Sequence, residues 1–316
     1  MLLAGTMYAQ EHGPFCGAVG TEGCNAVAFN SNAIIGWATG CTVVRGPVDI
    51  ANPDGPRVRY GTDSAGIGPA TRSTTAAVSL GDGGTAVLTF DQPIRNIEGP
   101  DFAVFENSFN DSFLELAFVE VSTDGERYVR FPATSLTPTD RQTGTNGFTD
   151  PTMIHNLAGK FRVGYGTPFD LEELRDSAGI DIDSIVYVRL VDVVGTIDPQ
   201  YATRDAEGRI INDPYPTADT IWASGGFDLT GVAVLRSTVG IDDVPSPGLS
   251  AYPNPAHGSL TVCGAEGSTA RLYTLTGRCV ASLRVQPSGT RLDLSALPAG
   301  VYVLRLDHYV LRVVSY

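Results

Sequence analysis

The feature that most constrains the fold is the shortness of the apolar runs, which Gly, Asp, Asn or Pro interrupts throughout the chain. Many runs alternate apolar and polar side chains, which is the period of a β-strand. No stretch has the period of an amphipathic helix beyond a turn or two at 170–178. The sequence therefore predicts an all-β protein, with its 36 Gly and 20 Pro residues supplying the turns between strands.

The densest strand pattern lies in residues 101–131, where Leu116 to Phe131 predicts a hairpin. Its turn is Thr123-Asp124-Gly125, because Gly125 can take the positive φ that such turns require. A two-residue turn would put Glu120 on one face with Phe118, Val129 and Phe131. A three-residue loop is favoured, since it puts Glu120 beside Tyr128 and Arg130 on the outer face. This register pairs Ala117, Val119 and Val121 with Phe131, Val129 and Arg127.

Other strands follow from the same pattern. They are predicted at 102–105, at 78–90 around the turn Asp82-Gly83-Gly84, at 181–194 and at 227–235. Residues 16–75 are predicted to form long loops around one or two edge strands. By the period of two, Asp192 lies on the face of Val188 and Leu190, so we expect a buried carboxylate that needs a partner or a metal.

Length and charge bound the class of protein. A chain of 316 residues fits two domains. The net charge of −14, without basic clusters, argues against nucleic acid and anionic membranes as partners. No run approaches the roughly 20 apolar residues of a transmembrane segment. An acidic surface is compatible with calcium, and it also keeps a secreted protein in solution.

The N-terminal segment has features of an export signal, with an ordinary disordered N-terminus as the alternative, and the cysteines are candidates for disulfides. Residues 1–10 resemble the end of a secretory signal peptide, with Ala9 before Gln10 as the cleavage point, although the basic region of such a peptide is missing. Five cysteines lack the paired spacing of a zinc site. Cys16 with Cys24, and Cys263 with Cys279, are candidate disulfides, and buried free thiols are the alternative.

Acidic and amide side chains recur at the predicted strand ends and in the loops. Calcium takes carboxylate and amide oxygens as ligands, so these positions are the candidate cation ligands. For each of them the alternative is a carboxylate that accepts hydrogen bonds within a turn. The candidate metal ligands are Asp101, Glu106, Asn107, Asp192, Asp213 and Asp228.

Aromatic side chains in loop-like settings are the candidate ligand contacts. Exposed rings could stack on a ligand, whereas rings that cover the end of the core would have no such role. The candidates are Trp37, Tyr201, Tyr215 and Trp222.

Motifs for catalysis are scarce. His155 is the one candidate base in the main domain, and the chain has no HExxH helix, no GxSxG elbow and no phosphate-binding glycine loop. A carboxylate pair could hydrolyse glycosides, and Glu106 with Glu115 or Glu120 would be the pair to examine. Acidic residues at strand ends more often serve structure or calcium, so catalysis is the weaker hypothesis.

Residues 251–316 resemble the C-terminal sorting domain of proteins exported by the type IX secretion system of Bacteroidetes bacteria. The residues that carry the resemblance are Tyr252-Pro253-Asn254-Pro255, a hairpin at 270–285 turning at Thr276-Gly277-Arg278, and the run from Leu297 to Leu306. The resemblance implies a small immunoglobulin-like β-sandwich that directs export and carries no chemistry. A Pro- and Asp-containing linker precedes it at 237–250.

The main domain, residues 16–236, resembles uncharacterised bacterial cell-surface proteins in phrases such as GPDFAVFEN and SGGFDLTGVAVL. FVEVSTDG and YVRLVDV are similar to phrases of galactose-binding-like, discoidin-type jelly rolls. This resemblance implies an antiparallel jelly-roll β-sandwich that binds a ligand through loops at one end, often with a structural calcium ion. It implies no catalytic residues.

These observations favour a secreted or outer-surface binding module. We expect it to be non-catalytic, stabilised by calcium, and directed to a glycan or another extracellular ligand. A structural or adhesion protein without a small ligand is the alternative, and a carboxylate-dependent glycoside hydrolase is the third hypothesis.

Overall fold

The computed structural model describes residues 13–219, 221, 223–236, 249–264, 267–275, 277–286, 289–306 and 309–316. The signal-like residues 1–10, Trp222 and most of the 237–250 linker lie outside the described residues. The chain divides into two compact units, Met1–Arg236 and Ser237–Tyr316. None of the helices in the described ranges has the length and hydropathy needed to cross a membrane.

The first unit contains thirteen described strands and three short 3₁₀ helices. The helices are Asp63–Gly66, Pro151–Met153 and Leu171–Leu174. The strands are β1 Val27–Ala28, β2 Ile34–Trp37, β3 Gly40–Val44, β4 Val78–Ser79, β5 Thr85–Ile94, β6 Phe102–Glu106, β7 Ala117–Ser122, β8 Val129–Arg130, β9 Thr134–Ser135, β10 Ile154–His155, β11 Tyr165–Phe169, β12 Ile185–Asp192 and β13 Asp228–Leu235.

Two antiparallel sheets make up this unit. The first sheet has the order β1-β11-β6-β13-β2, with β4 beside β13, and the second has the order β3-β5-β12-β7-β8. A separate two-stranded ladder joins β9 and β10. The loop-rich segment 16–75 supplies three edge strands, β1, β2 and β3, where one or two were predicted. The expected all-β, antiparallel, two-sheet class is confirmed.

The main core lies between the two sheets. Side chains of the first sheet, including Phe102 and Val232, join one apolar cluster with Val119 and Val188 of the second. Phe102 stacks on Phe169 with ring centroids 5.4 Å apart, and Phe131 meets Phe102 edge-on at 5.9 Å. Close packing of this kind makes the sheets one body, because neither sheet can bury its apolar face alone.

The hairpin between β7 and β8 corrects the predicted register. Val121 pairs with Val129 and Glu120 with Arg130, so the three-residue loop is wrong. A longer turn forms because the Asp124 carboxylate accepts hydrogen bonds from the amides of Glu126 and Arg127 at 2.8 and 2.9 Å. The error is two residues, an even number, so every side chain keeps its predicted face. Glu120 is buried, however, and pairs with both Arg130 and Arg189.

Two other predictions need refinement. The segment 78–90 does turn at Asp82-Gly83-Gly84, but β4 enters the first sheet and β5 the second, so this turn carries the chain between sheets. Trp37 ends a strand instead of lying in a loop, and its ring packs 5.2 Å from that of Phe105. The predicted helical turn is present at Leu171–Leu174.

The second unit is a small two-sheet sandwich. Its strands are β14 Leu249–Tyr252, β15 Ser259–Gly264, β16 Thr269–Thr274, β17 Cys279–Arg284, β18 Thr290–Asp293, β19 Gly300–Leu306 and β20 Tyr309–Ser315. The sheets have the orders β14-β15-β18 and β17-β16-β19-β20. The hairpin of β16 and β17 matches the prediction. In both units the cysteines are free thiols, and Cys263 and Cys279 lie on strands of different sheets.

Candidate functional site

Six carboxylates gather at one end of the first unit, where β6 and β12 end and β13 begins. We call them the acidic cluster: Asp82, Glu106, Glu115, Asp192, Asp213 and Asp228. All six are buried. The topology explains the meeting of the strand-end members. Strands β6 and β13 are antiparallel neighbours, so the last residue of one lies beside the first residues of the other.

Asp192 links the two sheets. Its carboxylate accepts hydrogen bonds from the amide of Gly83 at 2.9 Å and from that of Phe227 at 2.6 Å. Gly83 belongs to the turn that leads into β5, and Phe227 directly precedes β13. The predicted buried carboxylate is therefore confirmed, and backbone amides from both layers are its partners.

Asp213 and Asp228 also have partners. The Asp213 carboxylate accepts a hydrogen bond from the Leu116 amide at 3.0 Å. Gly195 is required beside it, because a Cβ at that position would overlap the Asp213 carboxylate. Asp228 accepts hydrogen bonds from the Ser79 hydroxyl and, at 3.0 Å, from the side-chain amide of Asn107.

Glu106 lacks a partner that its burial demands. Glu106 is 1% exposed, and its Oε2 accepts a hydrogen bond from the Ser108 amide, while Oε1 is a buried oxygen without a hydrogen-bond partner in the described part of the chain. Glu115 is 7% exposed, and its carboxylate takes part in none of the hydrogen bonds or ion pairs found among the described residues. A buried carboxylate oxygen without a partner is costly, so Glu106 is short of a proton or a cation, whereas the Glu115 oxygens are not among the buried atoms that lack a partner.

The pKa shifts of the six carboxylates also indicate that their charged forms are disfavoured. Burial, reinforced by repulsion from neighbouring carboxylates, holds the pKa of Glu106, Glu115, Asp192 and Asp213 well above their usual range. Burial is also the main reason that the pKa of Asp82 rises to about 6 and that of Asp228 to about 6. Arg45 acts against this shift at Asp228, where its positive charge lowers the pKa.

Two spaces adjoin the cluster. One is a narrow crevice, too tight to admit a water molecule, whose lining includes Asp82, Glu115, Asp192 and Asp213. The other, which we call the rim cleft, is an open hollow of about 420 Å³. Glu115 lines both spaces, and Asp228 lines only the rim cleft. The remaining polar lining of the rim cleft is Thr74, Asn107, Thr145, Asn146, Thr217, Asp219 and Ser224.

The donor set fits calcium in its chemistry. The ligands are hard oxygen atoms, and one buried oxygen of Glu106 lacks a partner among the described residues. In the described ranges, no three His, Cys, Asp or Glu side chains surround one point as a metal would need. The carboxylates would therefore have to draw together around an ion.

Five of the six predicted cation ligands come together here, and Asp101 does not. Asp101 precedes β6 and Glu106 ends it, so they lie at opposite ends of a strand about 16 Å long. The Asp101 carboxylate accepts hydrogen bonds from the amides of Ile97 at 2.7 Å and Leu171 at 2.6 Å. This arrangement corresponds to the turn alternative.

Replacing Asp101 with Asn should lower the free energy of unfolding by about 1–3 kcal/mol, since the new NH₂ group would face one of two buried amides that need an acceptor. Urea denaturation of the full chain measures the change. The exposed Asp91→Asn serves as the control and should change stability by less than about 0.5 kcal/mol. Equal effects of the two substitutions would contradict the structural role of Asp101.

The predicted aromatic platform is dispersed. Trp37 lies on an edge strand opposite Ala233, away from the cluster end of β13. The Tyr215 hydroxyl lies 3.4 Å from the Asp82 carboxylate and 3.5 Å from that of Asp49. Tyr201 is half-buried and bonds Gln200, and Trp222 lies outside the described residues.

Sequence reasoning missed two rings and two carboxylates. Phe109 and Phe113 stack with centroids 4.9 Å apart and line the rim cleft. Their signal is the phrase FENSFNDSF, where Phe recurs among Asn, Asp and Ser without strand alternation. Asp82 was assigned only to a turn, and Glu115 only to a catalytic pair.

Comparisons with known proteins identify the C-terminal segment. Residues 250–314 match the secretion system C-terminal sorting domain. No curated protein matches the chain. The chain is therefore exported by type IX secretion, whose machinery the sorting domain engages, and it is attached at the cell surface.

The similarity to solved structures is weak. Apo β-glucuronidase 3 of Bacteroides uniformis is 11% identical, with 75% of this chain and 27% of that chain covered and a TM-score of 0.20. The BSP domain of a biofilm associated protein is 12% identical, with 90% and 53% covered and a TM-score of 0.18. A β-glucuronidase of Ruminococcus gnavus is 12% identical, with 78% and 37% covered and a TM-score of 0.21. The chain spans about a quarter to a half of the length of these structures, and TM-scores this low support no assignment of function.

Proposed function

We propose that this chain is a non-catalytic binding module of the cell surface, that the acidic cluster holds calcium, and that the adjoining rim cleft receives a glycan or another extracellular ligand. The observation that carries the proposal is the burial of six carboxylates at one end of the unit, with Oε1 of Glu106 lacking a hydrogen-bond partner among the described residues. A divalent cation offsets the repulsion between such groups while satisfying the free oxygen atom of Glu106.

The ligands of the ion are drawn from the groups around Glu115. Glu106, Asn107 and Asp228 lie on one side of the cluster, and Asp192 and Asp213 on the other. Asp192 and Asp213 already hold backbone amides, so an ion there would share their remaining lone pairs. Calcium tolerates such mixed, irregular oxygen shells better than magnesium does.

Catalysis has less support. A glycosidase needs two carboxyl groups that both face the substrate. Glu106 is almost fully buried and is not part of the lining of the rim cleft, while Glu120 is paired with Arg130 and Arg189. A purely structural surface protein would need no partner-deficient carboxylate beside an open hollow.

Calcium titration by isothermal calorimetry tests the proposal on the full chain. We expect saturable binding with a Kd at or below the roughly 10⁻⁴–10⁻³ M of extracellular calcium modules. Glu115→Gln keeps the size of the side chain and removes its charge, and should weaken binding about tenfold or more, a loss of about 1.4 kcal/mol. Asp101→Asn removes an equally buried carboxylate outside the cluster and should leave the Kd unchanged.

Two results would contradict the calcium assignment. The first is a folded protein that binds no calcium at about 10 mM, ten times the weakest Kd typical of extracellular sites. The second is equal binding by the wild-type protein and Glu115→Gln, which would move the ion away from the acidic cluster.

A further inference from the structure

The four-stranded sheet of the sorting domain has a basic outer face. Each of its strands, in the order β17-β16-β19-β20, contains one arginine, and the residues of these strands include no Asp or Glu. The four arginines lie at least seven residues apart in the sequence, so no basic cluster is visible there and only strand pairing brings them together. We call them the arginine face: Arg271, Arg284, Arg305 and Arg312.

The register of the strands places these side chains on one side of the sheet. Arg271 pairs directly with Arg305 in the centre. Arg284 and Arg312 pair with residues that lie two positions away from this central pair, and alternate residues of a strand share a face. All four are exposed, whereas Leu272 on the other side of the sheet is buried in the core of the second unit. The arginines therefore form a diagonal stripe roughly 14 Å wide across four strands.

Folding alone does not account for this arrangement. Like charges directly opposite each other on neighbouring strands destabilise a sheet, and Arg271 and Arg305 are such a pair. The other sheet of the second unit carries exposed charges of both signs, since Arg291 and Asp293 lie on β18. A face of one sign that is kept at a cost in stability favours an anionic partner.

The charge of the whole chain favours a protein over a membrane as that partner. The second unit has six arginines against five Asp and Glu residues, whereas residues 1–236 have 15 Lys and Arg against 30 Asp and Glu, a net charge of −15. An anionic membrane is charged over an extended area and repels such a chain, while an acidic patch on a protein can meet the arginine face alone. Tyr273 lies beside the stripe on the same face, and arginine and tyrosine are enriched in protein interfaces.

We propose that the sorting domain docks through the arginine face on an acidic surface of the export machinery. The guanidinium group binds a carboxylate through two parallel hydrogen bonds, so Asp and Glu side chains on the partner would suit a stripe of four arginines. This docking surface is separate from the ligand site proposed for the first unit and requires no metal ion.

Export of the full chain from a bacterium with a type IX system tests the assignment, with immunoblots of cell fractions as the measurement. Arg271→Glu should lower the fraction that reaches the cell surface about fivefold or more, because it reverses the charge at the centre of the stripe. Arg271→Lys keeps the charge and should be exported within about twofold of the wild-type level. Arg291→Glu is the matched control, since it makes the same change of charge on the other sheet, and should be exported normally.

The stability of Arg271→Glu distinguishes docking from a structural role. The substitution replaces a like-charge pair with an opposite-charge pair across β16 and β19, so the second unit should melt at the same temperature or higher. Scanning calorimetry of the purified full chain measures this transition. A lower melting temperature together with reduced export would assign Arg271 to the stability of the sheet and overturn the docking proposal.

Three further results would overturn it. The first is export of Arg271→Glu at the wild-type level. The second is an equal loss of export in Arg271→Glu and Arg291→Glu, which would make the total charge of the unit decisive instead of this face. The third is binding of the wild-type chain, but not of Arg271→Glu, to phosphatidylglycerol vesicles, which would make the partner a membrane. None of these measurements depends on ligand binding by the first unit.

Discussion

Chelation of calcium is expected to lower the melting temperature of the first unit by about 5–10 °C at pH 7.5. A site that is saturated about a hundredfold above its Kd adds about 2.7 kcal/mol of stability. For a unit of this size, each kcal/mol corresponds to about 2–4 °C. Tryptophan fluorescence follows this unit selectively, because both tryptophans lie within residues 1–236. Asp101→Asn should start from a lower melting temperature and show the same calcium response.

The size of this calcium response should depend on pH. In the metal-free protein the folded pKa of Asp82 and Asp228 is about 6, above the unfolded value near 3.8, so the folded state binds more protons in that window. Stability is then highest below pH 4 for these groups and is lost as pH rises through about 6. Calcium competes with those protons, so the gap between loaded and chelated protein should widen from pH 5 to pH 7.5. A gap that is constant with pH would contradict an ion held by the acidic cluster.

Phe102→Ala is expected to lower the free energy of unfolding by about 3–5 kcal/mol, the range for removing a fully buried phenylalanine. Phe102 is completely buried and touches the rings of Phe131 and Phe169, so its loss leaves a cavity between the two sheets. Urea denaturation followed by tryptophan fluorescence measures the change. The control Phe148→Ala removes a ring of the same size from the surface and should cost under about 0.5 kcal/mol.

A cost below about 1 kcal/mol for Phe102→Ala would mean that the sheets do not close on one another at this ring. The two-sheet body would then be wrong, and the position of the acidic cluster would lose its basis, because Asp192 reaches amides of both layers only when they are packed together.

The strands that could be predicted from the sequence are those with local signals. Alternation identified β7 and β12, and the same period placed the side chain of Asp192 inside. The face of Glu120 was also predicted correctly although the loop length was not, because only the parity of the register fixes the face. The sequence could not show that Glu120 is shared by two arginines, since Arg189 lies on a strand far along the chain.

The acidic cluster could not be predicted from the sequence, because it forms through strand pairings between distant parts of the chain that no local pattern encodes. Glu106 and Asp228 meet because β13 inserts between β6 and β2, a pairing across more than a hundred residues. Asp82 joins them because the turn 82–84 carries the chain between the sheets, and Glu115 joins them because it lies two residues before β7, whose first residue pairs with Asp192. Asp101 resembles the others in sequence, yet it starts the strand that Glu106 ends. The sequence does not show which strand ends lie together, because this depends on the direction that each strand takes in its sheet.

The Asp192 carboxylate accepts a hydrogen bond from one backbone amide on the side of each sheet. This arrangement has a consequence for how the sequence of such a protein can vary. These hydrogen bonds lie within the two packed sheets, whereas Phe109, Phe113 and Asn146 lie in loops that line the rim cleft. Under the proposed function, exchanging those loops would alter which ligand the rim cleft binds without disturbing the packing of the two sheets. One two-sheet scaffold could in this way support different ligand preferences while it keeps the same sorting domain.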